Sequence, residues 1–358
     1  MDTLNPASQI GLTIANTYKL IRVLGEGSFA VVFLGRNVYS GEQVAVKCLY
    51  KQGLTKHQIN LQREEVFILE KLRGHPNIVN LLQSVETDHH LYLVLEYCEI
   101  DLFDSIMKRP FDSKLALKLF TQLANAVAAC HDLGIYHRDL KPENVLISSL
   151  RSPVIKLTDF GLSTTEYLSS EYGCGSVRYM APECLKPENK KTSQPYVSPA
   201  NDVWSLGIIL INMLTGKNPW VQPHQNDKHF RAHLLSRQGS IDSFRQQFNF
   251  SDSFCQILRM VFQMQPSTRP TVRQFLSMVQ QLPTFFHVNN SIAPVKYTPP
   301  QKQNGMLTPS SLPFQGFHGN TQMLPGTPES FKEPLAWKQV DRKSDDLMFE
   351  MELDNAIF

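Results

Sequence analysis

Alternating apolar and polar positions fill much of the first hundred residues. Three stretches rich in β-branched and aromatic residues are separated by short glycine or polar turns: YKLIRVLGEG at 18–27, AVVFLGRNV at 30–38 and EQVAVKCLY at 42–50. This pattern predicts antiparallel strands. The apolar run at 91–97 predicts a further, buried strand, and the spacing of Val66, Leu69 and Leu72 predicts one helix over 57–74.

Helical periodicity replaces this pattern after Leu102. Two long segments, SKLALKLFTQLANAVAACHDLG at 113–134 and DVWSLGIILINMLTG at 202–216, repeat apolar residues at helical spacing and end on glycine. The sequence therefore predicts an α+β fold of two lobes, a small β-rich N-lobe followed by a larger α-helical C-lobe. Ligands commonly bind at such junctions, so we expect the functional site between the lobes.

The composition changes near Pro283. Residues 283–358 contain 9 of the 22 prolines and show no long helix or strand pattern, which is typical of a flexible tail. We therefore predict three parts: an N-terminal extension at 1–17, a folded domain at 18–283 and a flexible, Pro-rich regulatory tail at 284–358.

Charge and cysteine content narrow the function classes. The chain carries 35 Lys and Arg against 33 Asp and Glu, a net charge of +2, so it lacks the strong basic charge of a nucleic-acid binder. The six cysteines lie far apart and form no C-x-x-C pair, which predicts reduced thiols in the cytoplasm, the nucleus or both. No apolar run is long enough to span a bilayer, so we expect no membrane association.

Two motifs in the predicted N-lobe carry candidate chemistry. LGEGSF places Gly25 and Gly27 between two strands, where backbone N–H groups can approach phosphate oxygens; a plain hairpin turn explains two glycines as well. Lys47 lies on a predicted interior strand and needs an anionic partner, unless the strand is an edge and the lysine is solvated. Glu65 is the candidate partner rather than Glu64, because it is in step with the inward-facing leucines of the helix.

Two loops of the C-lobe add a second set of polar residues. YHRDLKPEN contributes Asp139, Lys141 and Asn144, and LTDFG contributes Asp159, twenty positions after Asp139. Side by side, these loops would collect a carboxylate base, a lysine for transferred charge, and a carboxylate and an amide oxygen for Mg²⁺. Each motif alone is compatible with turn chemistry, but their joint occurrence in this order is specific.

In these motifs the chain resembles the eukaryotic protein kinases of the Ser/Thr type, over about residues 18–283. The resemblance implies an enzyme that transfers the γ-phosphoryl group of ATP, bound with Mg²⁺, to Ser/Thr hydroxyls of protein substrates. It implies Asp139 and Lys141 as catalytic residues, and Asn144 and Asp159 as ligands of Mg²⁺. The implied ATP-binding residues are Leu24, Gly25, Glu26, Gly27, Ser28, Val32, Ala45, Lys47, Glu65, Leu95, Glu96, Cys98, Asp101 and Leu146.

The resemblance also implies structural roles. Glu183 of the APE segment would pair with Arg269, and Asp202 would hold the backbone of the loop that carries Asp139. Ser176 would hydrogen-bond toward Asp139 and Lys141, an arrangement that is typical of Ser/Thr rather than Tyr kinases.

Finer features are similar to the fungal Ran/Pat-type kinases, which act in nutrient response and in the choice between mitosis and meiosis: GEGSFAVVF, DLFD, GCGSVRYMAPEC and an insert before NDVWSLG. One departure from the kinase pattern is Ala30, which replaces the third glycine of G-x-G-x-x-G; we expect weaker ATP binding at most. The alternative function is a pseudokinase, a kinase-fold scaffold that acts by binding alone.

The segment between Asp159 and Glu183 raises a question of regulation. Tyr172 holds the place that an activating phosphothreonine usually takes, with Arg138 as its partner. Either Tyr172 or a nearby Ser/Thr is phosphorylated, or Glu171 offers Arg138 a carboxylate without any phosphate. We favour the second of these hypotheses.

The end of the tail differs from the rest of it. Residues 344–358 hold five acids, no Lys or Arg, and seven large apolar residues, which suits a docking segment that orders on binding. Its target is either a partner or the kinase domain of this chain, which keeps a charge of +4 once the −2 of residues 283–358 is removed from the total of +2. The alternative is an inert, solvated tail. Separately, we expect the chain to be a monomer.

Overall fold

The computed structural model describes residues 6–26, 30–187, 194–235 and 240–287. Its N-lobe is one antiparallel sheet in the order β1-β2-β3-β4-β6-β5. The strands are β1 Thr13–Ile14, β2 Tyr18–Glu26, β3 Ala30–Asn37, β4 Gln43–Tyr50, β5 Leu81–Glu86 and β6 His90–Glu96. The four strands predicted from the sequence are confirmed, each to within one residue at either end.

A single helix, α1 (Lys56–Lys71), lies between β4 and β5. It begins after Thr55, whose side chain accepts a hydrogen bond from the backbone of Gln58, while the side chain of Gln58 bonds back to the N–H of Thr55. Its buried face contains Glu65, Ile68 and Leu69. The predicted helix is therefore confirmed, and Glu65 is on the inward side as expected.

The N-terminal residues that the structure describes cover the outer face of the sheet. A 3₁₀ turn at Pro6–Gln9 precedes β1, and Ile14 packs on an apolar cluster of that face. Gln9 is buried, and its side-chain oxygen accepts hydrogen bonds from the Tyr92 hydroxyl at 3.3 Å and from the Cys48 thiol at 3.6 Å. Residues 6–17 thus form part of the N-lobe packing.

The C-lobe is mainly helical. Its helices are α2 Leu102–Lys108, α3 Ser113–Asp132, α4 Ser198–Thr215, α5 Lys228–Leu235, α6 Ser240–Phe248, α7 Asp252–Val261 and α8 Val272–Gln280. Two small sheets accompany them, β7-β8-β9 (Ile100–Asp101, Val145–Ile147 and Ile155–Leu157) and β10-β11 (Leu168–Ser169 and Tyr196–Val197). The predicted α+β fold of two lobes is confirmed.

Helix α4 is the central element of the C-lobe. All its residues from Ala200 to Leu214 are buried, and the helix ends at Gly216 in the left-handed conformation, with φ of 73°. It begins four residues earlier than the sequence pattern indicated, because Pro199 fits the first turn of a helix. This burial gives the adjoining loops a rigid base.

The folded region continues past the predicted boundary at 283 as far as the described residues reach. Phe285 is buried and its ring lies 5.0 Å from that of Phe254, and Phe286 pairs with Phe250 as an isolated β-bridge. The remainder of the predicted tail, 288–358, is outside the described residues. Within the described ranges no helix is long and apolar enough to cross a membrane.

Candidate active site

The register of the N-lobe sheet places five predicted site residues on one face. Gly25 is opposite Val32, Val32 is opposite Lys47, and Ala45 is opposite Leu95. Directly opposed residues of an antiparallel pair point to the same side, as do residues two apart along a strand. The inner face of the sheet therefore presents a glycine, three apolar side chains and one lysine toward the C-lobe.

Lys47 connects the sheet, helix α1 and the DFG loop. Its Nζ lies 2.7 Å from Oε1 of Glu65 and 2.9 Å from Oδ1 of Asp159. Burial alone would lower the pKa of the Lys47 ammonium, but the two carboxylates outweigh it and raise the pKa above its ordinary value. The same lysine lowers the pKa of Asp159 to about 2. The predicted Lys47–Glu65 pairing is confirmed. Burial raises the pKa of the Glu65 carboxyl, and the Lys47 ammonium opposes that rise.

The loop at 136–144, the candidate catalytic loop, surrounds the carboxylate of Asp139 with donors. Its Oδ1 accepts the backbone N–H of Ser176 at 2.8 Å, and its Oδ2 lies 3.0 Å from Nζ of Lys141 and 3.1 Å from Nδ2 of Asn144. Lys141 also donates to the Ser176 hydroxyl at 3.0 Å. The predicted contacts of Ser176 are confirmed, and they fix the direction in which the carboxylate faces.

Asp202 holds this loop from the helix beneath, as predicted. Its two oxygens accept the backbone N–H groups of His137 and Arg138, both at 2.9 Å. Arg138 has a φ of 65°, a left-handed conformation that non-glycine residues avoid, so the two hydrogen bonds stabilise an unfavourable backbone. His131, whose Nε2 lies 2.9 Å from the same carboxylate, was not predicted from the sequence, because a histidine near the end of a helix carries no pattern that indicates a buried partner.

The guanidinium of Arg138 binds the segment between Asp159 and Glu183, called the activation segment below. It lies 2.7 Å from a carboxylate oxygen of Glu171, and it donates to the carbonyl of Leu162 at 2.6 Å. Tyr172 does not reach Arg138 with its hydroxyl, which donates to the carbonyl of Gln194 instead. Of the two hypotheses drawn from the sequence, the Glu171 partnership is the one that matches these contacts.

Glycine is required at one point of the activation segment. Gly175 has a φ of 104°, and a Cβ there would lie 2.6 Å from the carbonyl oxygen of Arg138, so any side chain would force the segment off the catalytic loop.

An ion pair holds the other end of the activation segment. Arg269 donates to both carboxylate oxygens of Glu183, at 2.6 and 2.9 Å. That predicted pair is confirmed and anchors the far end of the segment.

The other predicted ATP-binding residues lie around the junction of the lobes. Leu24 and Glu26 are in β2, and Cys98 follows β6. The Glu96 carboxylate lies 2.8 Å from the Lys156 ammonium. Asp101 caps helix α2, because its side chain accepts the backbone N–H of Asp104 at 2.7 Å. Leu146 is opposite Asp101 in the β7–β8 pair. Gly27 and Ser28 lie outside the described residues. The roles of these residues toward ATP stay predictions.

Two polar side chains near the site differ in what they can bind. Burial raises the pKa of the Glu143 carboxyl to about 7, and one of its oxygens is buried without a hydrogen-bond partner in the part of the chain described. Asn212 is fully buried in α4, and its amide donates to the Lys217 carbonyl and to Asn218. The amide oxygen of Asn212 also has no hydrogen-bond partner in the described part of the chain, but of the two groups Glu143 is the one that can offer a negative charge to a cation.

Asn144 and Asp159 fit a divalent cation that arrives with phosphate oxygens. Asn144 donates through Nδ2 to the Asp139 carbonyl at 2.8 Å, which leaves its amide oxygen as the acceptor, and the backbone of Thr158 bonds to that of Asn144 at 3.0 Å and so joins the two loops. No cluster of three or more His, Cys, Asp or Glu in the described ranges could hold a metal by itself. Mg²⁺ in phosphoryl-transfer sites takes one or two such protein ligands plus phosphates, which matches this donor set.

Comparison with known proteins identifies relatives of the same kind. The family described as Protein kinase domain matches residues 18–279. A Schizosaccharomyces pombe protein named "Negative regulator of sexual conjugation and meiosis" is 36% identical over 298 residues, 77% of this chain and 62% of the relative. The human "SNF-related serine/threonine-protein kinase" is 41% identical over 219 residues, 60% of this chain and 28% of the relative.

A second S. pombe relative, "Serine/threonine-protein kinase ksp1", is 35% identical over 242 residues, 63% of this chain and 49% of the relative. The chain thus spans less than two thirds of the length of each of these three relatives. The family match covers most of the chain and contains Lys47, Glu65, Asp139, Asn144 and Asp159, the residues around which the site is built. This chain belongs to the protein kinase domain family.

Proposed function

We propose that this protein is a serine/threonine protein kinase that transfers the γ-phosphoryl group of ATP to protein substrates. The proposal rests mainly on one observation: the candidate residues of the N-lobe and of the C-lobe are already in contact around the site. Lys47 already contacts Glu65 and Asp159 across the lobes, and Asp139, Lys141 and Ser176 are already joined in the C-lobe. Phosphoryl transfer depends mainly on such positioning and on charge stabilisation.

Each residue has a role that its contacts support. Asp139, oriented by Ser176 and Asn144, would accept the proton of the substrate hydroxyl, and Lys141, 3.0 Å from that carboxylate, would stabilise transferred charge. Lys47 would hold phosphate oxygens, and Asn144 and Asp159 would hold the divalent cation. Bound ATP with Mg²⁺ supplies the phosphoryl group and neutralises the leaving oxygens.

A peptide assay separates a kinase from a binding-only scaffold. The full chain is incubated with labelled ATP and matched peptides that differ only in a Ser, Thr or Tyr acceptor, and Asp159→Asn serves as the control. We expect labelling of the Ser and Thr peptides by the wild type and background labelling by Asp159→Asn. Equal, near-background labelling by both proteins would favour the scaffold.

We further propose that the activation segment holds its ordered position without phosphorylation. Glu171 supplies the carboxylate that Arg138 contacts at 2.7 Å. The segment is tied to β11 by the β10–β11 pairing and to the start of α4 by the Ser198 hydroxyl, which donates to the Glu166 carbonyl at 2.8 Å. A phosphate group at this position would serve as an anionic partner for Arg138, a role that the Glu171 carboxylate already fills.

The physiological process is proposed from a relative alone. The S. pombe relative is named as a negative regulator of sexual conjugation and meiosis, and we propose that this chain acts in related nutrient, cell-cycle or meiosis signalling. Expression of this chain in S. pombe cells that lack the relative tests the proposal. Restored repression of conjugation by the wild type, and none by Asp159→Asn, is the expected result; no repression by either contradicts it.

A further inference from the structure

The first described residues, 6–14, form a segment that we call the N-terminal strap. It bonds to β2 through two backbone contacts: the N–H of Gly11 donates to the Leu20 carbonyl at 2.8 Å, and the N–H of Leu20 donates to the Leu12 carbonyl at 2.9 Å. The family match covers 18–279. The strap is therefore a feature of this chain that precedes the matched kinase domain.

One buried amide fastens the strap to the outer face of the sheet. The side-chain oxygen of Gln9 accepts the Tyr92 hydroxyl at 3.3 Å and the Cys48 thiol at 3.6 Å. Its Nε2 lies 3.0 Å from Nε2 of His90. An amide nitrogen can only donate, so this nitrogen of His90 must accept. The contact therefore requires the neutral imidazole, with its proton on Nδ1.

Rotating the Gln9 amide does not adapt the contact to a protonated His90 without a loss. The rotated oxygen could accept from the imidazolium, but the amide nitrogen would then face the Tyr92 hydroxyl and the Cys48 thiol. These two donors are 5% and 0% exposed, and a buried donor that loses its acceptor is destabilising. The three contacts of Gln9 together thus select the neutral form of His90.

The surroundings of His90 favour the same form. The rings of Tyr50 and Tyr92 pack against its ring, with 5.3 and 5.4 Å between the centroids. Burial lowers the pKa of the imidazole, and the nearby charges of His89 and Lys51 lower it further. Protonation of His90 is therefore disfavoured while the strap is bound.

The acids on this side of the N-lobe do not reverse that balance. Glu86 of β5 lies 2.6 Å from both Lys51 and Arg63, which take up its charge. Asp88 lines the same cavity as His90, together with Arg63 of α1. Within the described ranges neither acid forms an ion pair with His90.

The strap covers apolar residues that need the cover. Ile14 packs on the outer cluster of the sheet, which also contains Leu20, Phe33, Val46 and Val94, each 0% exposed. Detachment of the strap would expose part of this cluster to solvent, and exposed apolar surface of this kind favours contact with other proteins. The state of the strap thus determines which surface the N-lobe presents.

We propose that the N-terminal strap is a pH-sensitive attachment: protonation of His90 breaks its contact with Gln9 and releases residues 6–14 from the outer face of the sheet. Above about pH 6.5, the ordinary pKa of histidine, the imidazole is neutral and the strap is held. Below it, the released form takes up a proton more readily than the bound form, so acid shifts the equilibrium toward release. This behaviour does not depend on the proposed kinase function.

Hydrogen exchange of the full chain at pH 7.5 and pH 5.5 tests the proposal without any catalysis. The reporters are the amides of Gly11 and Leu20, which bond between the strap and β2, and the amides of the buried helix α4 are the reference. After correction for the intrinsic pH dependence of exchange, we expect the reporters to open up to about tenfold more often at pH 5.5. No increase, or an equal increase in α4, would overturn the proposal.

Two adjacent histidines supply a matched pair of variants. His90→Gln should abolish the response to acid, because an amide can pair with Gln9 at either pH. His89→Gln, which removes an imidazole that does not contact Gln9, should retain the response. Equal responses of the wild type and His90→Gln would contradict the proposal.

A third variant tests the sign of the effect and does not depend on the folding of His90→Gln. In Gln9→Glu a carboxylate faces His90 and binds the imidazolium better than the neutral ring. We therefore expect the reporters of Gln9→Glu to open less often at pH 5.5 than at pH 7.5. The same increase as in the wild type would overturn the proposal.

Discussion

Two cation–carboxylate pairs flank the candidate active site, and they differ in how the acid is held. Lys47 and Arg138 are both largely buried, with side chains 15% and 6% exposed. Their acids are not alike: Glu65 lies on a helix and is 2% exposed, whereas Glu171 lies on a loop and is 56% exposed. The first pair is a fixed part of the fold, and the second joins a buried cation to a solvent-exposed partner.

The difference has an energetic meaning. Removing one member of a buried pair leaves an uncompensated charge, at a cost of about 3–5 kcal/mol, while an exposed pair contributes about 0–1 kcal/mol. Glu65 is therefore irreplaceable where it stands, but the place of Glu171 can be filled by any accessible anion. The Lys47–Glu65 pair therefore determines whether the candidate active site can form, whereas the Arg138–Glu171 pair determines how tightly the activation segment is held.

The largest effect is expected from breaking the N-lobe pair. In Lys47→Arg the planar guanidinium cannot occupy the point at which the Lys47 ammonium meets both Glu65 and Asp159. We expect peptide phosphorylation to fall by about 10³-fold or more, with a similar melting temperature. Lys19→Arg, on the exposed side of β2, is the control and should retain full activity; wild-type turnover by Lys47→Arg would refute the assigned role.

A smaller effect is expected at the exposed pair. Glu171→Ala removes the carboxylate that Arg138 contacts and should lower kcat/KM about tenfold, equivalent to about 1.4 kcal/mol. Glu166→Ala, which removes an exposed acid from the same segment, should change it little. Steady-state kinetics of the unphosphorylated proteins give the measurement. Equal rates for Glu171→Ala and wild type would contradict the proposal that Glu171 holds the activation segment through Arg138.

The effect of pH is expected to be modest and to act on substrate choice. Because the pKa of Glu143 is raised to about 7, roughly a tenth of this group is ionised at pH 6 and nine tenths at pH 8. We expect the ionised Glu143 carboxylate to bind a basic residue of the substrate, so the KM for a peptide with an Arg shortly before the acceptor should fall several-fold over this range, relative to a matched Leu peptide. Glu143→Gln should flatten the difference, and a pH-independent ratio in the wild type would contradict it.

The same raised pKa has a consequence for stability. The folded state favours the neutral carboxyl, so stability falls as the pH rises from about 4.5, where this carboxyl ionises in the unfolded chain, to about 7, where it ionises in the folded chain. Its contribution to stability is therefore greater at pH 6 than at pH 8. In Glu143→Gln this part of the pH dependence of the melting temperature should disappear.

The smallest effect is expected at Ala30. It is the first residue of β3 and pairs with Leu49 in the sheet, so its backbone is in an ordinary strand conformation that gives glycine no advantage. Ala30→Gly should change the KM for ATP by less than about twofold. A much larger change would show that this position contacts the nucleotide in a way that the strand register does not indicate.

The sequence predicts short-range structure well because the hydrophobic period is a local property. It distinguishes Glu65 from Glu64 by helical phase, and it locates four of the six described N-lobe strands to within one residue, whereas β1 and β5 were not predicted. The motif spacing also predicts that Asp139 and Asp159 belong to one site, since their loops recur in that order in a known family.

Contacts between distant segments are harder to predict. Gln9 covers the outer face of the sheet through Cys48 and Tyr92, and His131 shares the Asp202 carboxylate; no periodicity or composition marks either residue. The burial of Asn212, a polar residue in the middle of an apolar run, depends on the loop at 217–218 that folds back on it. Such partners are set by tertiary packing rather than by the local pattern.

The most direct test of the account is the activity of the full chain without phosphate on its activation segment. The protein is treated with a phosphatase, its unphosphorylated state is verified by mass spectrometry, and labelled ATP and a Ser peptide are added, with Asp139→Asn as the control. We predict turnover equal to that of the untreated protein and none above background for Asp139→Asn. Loss of activity on phosphatase treatment, restored by rephosphorylation at Tyr172 or a neighbouring Ser/Thr, would contradict the claim that Glu171 holds the segment in place.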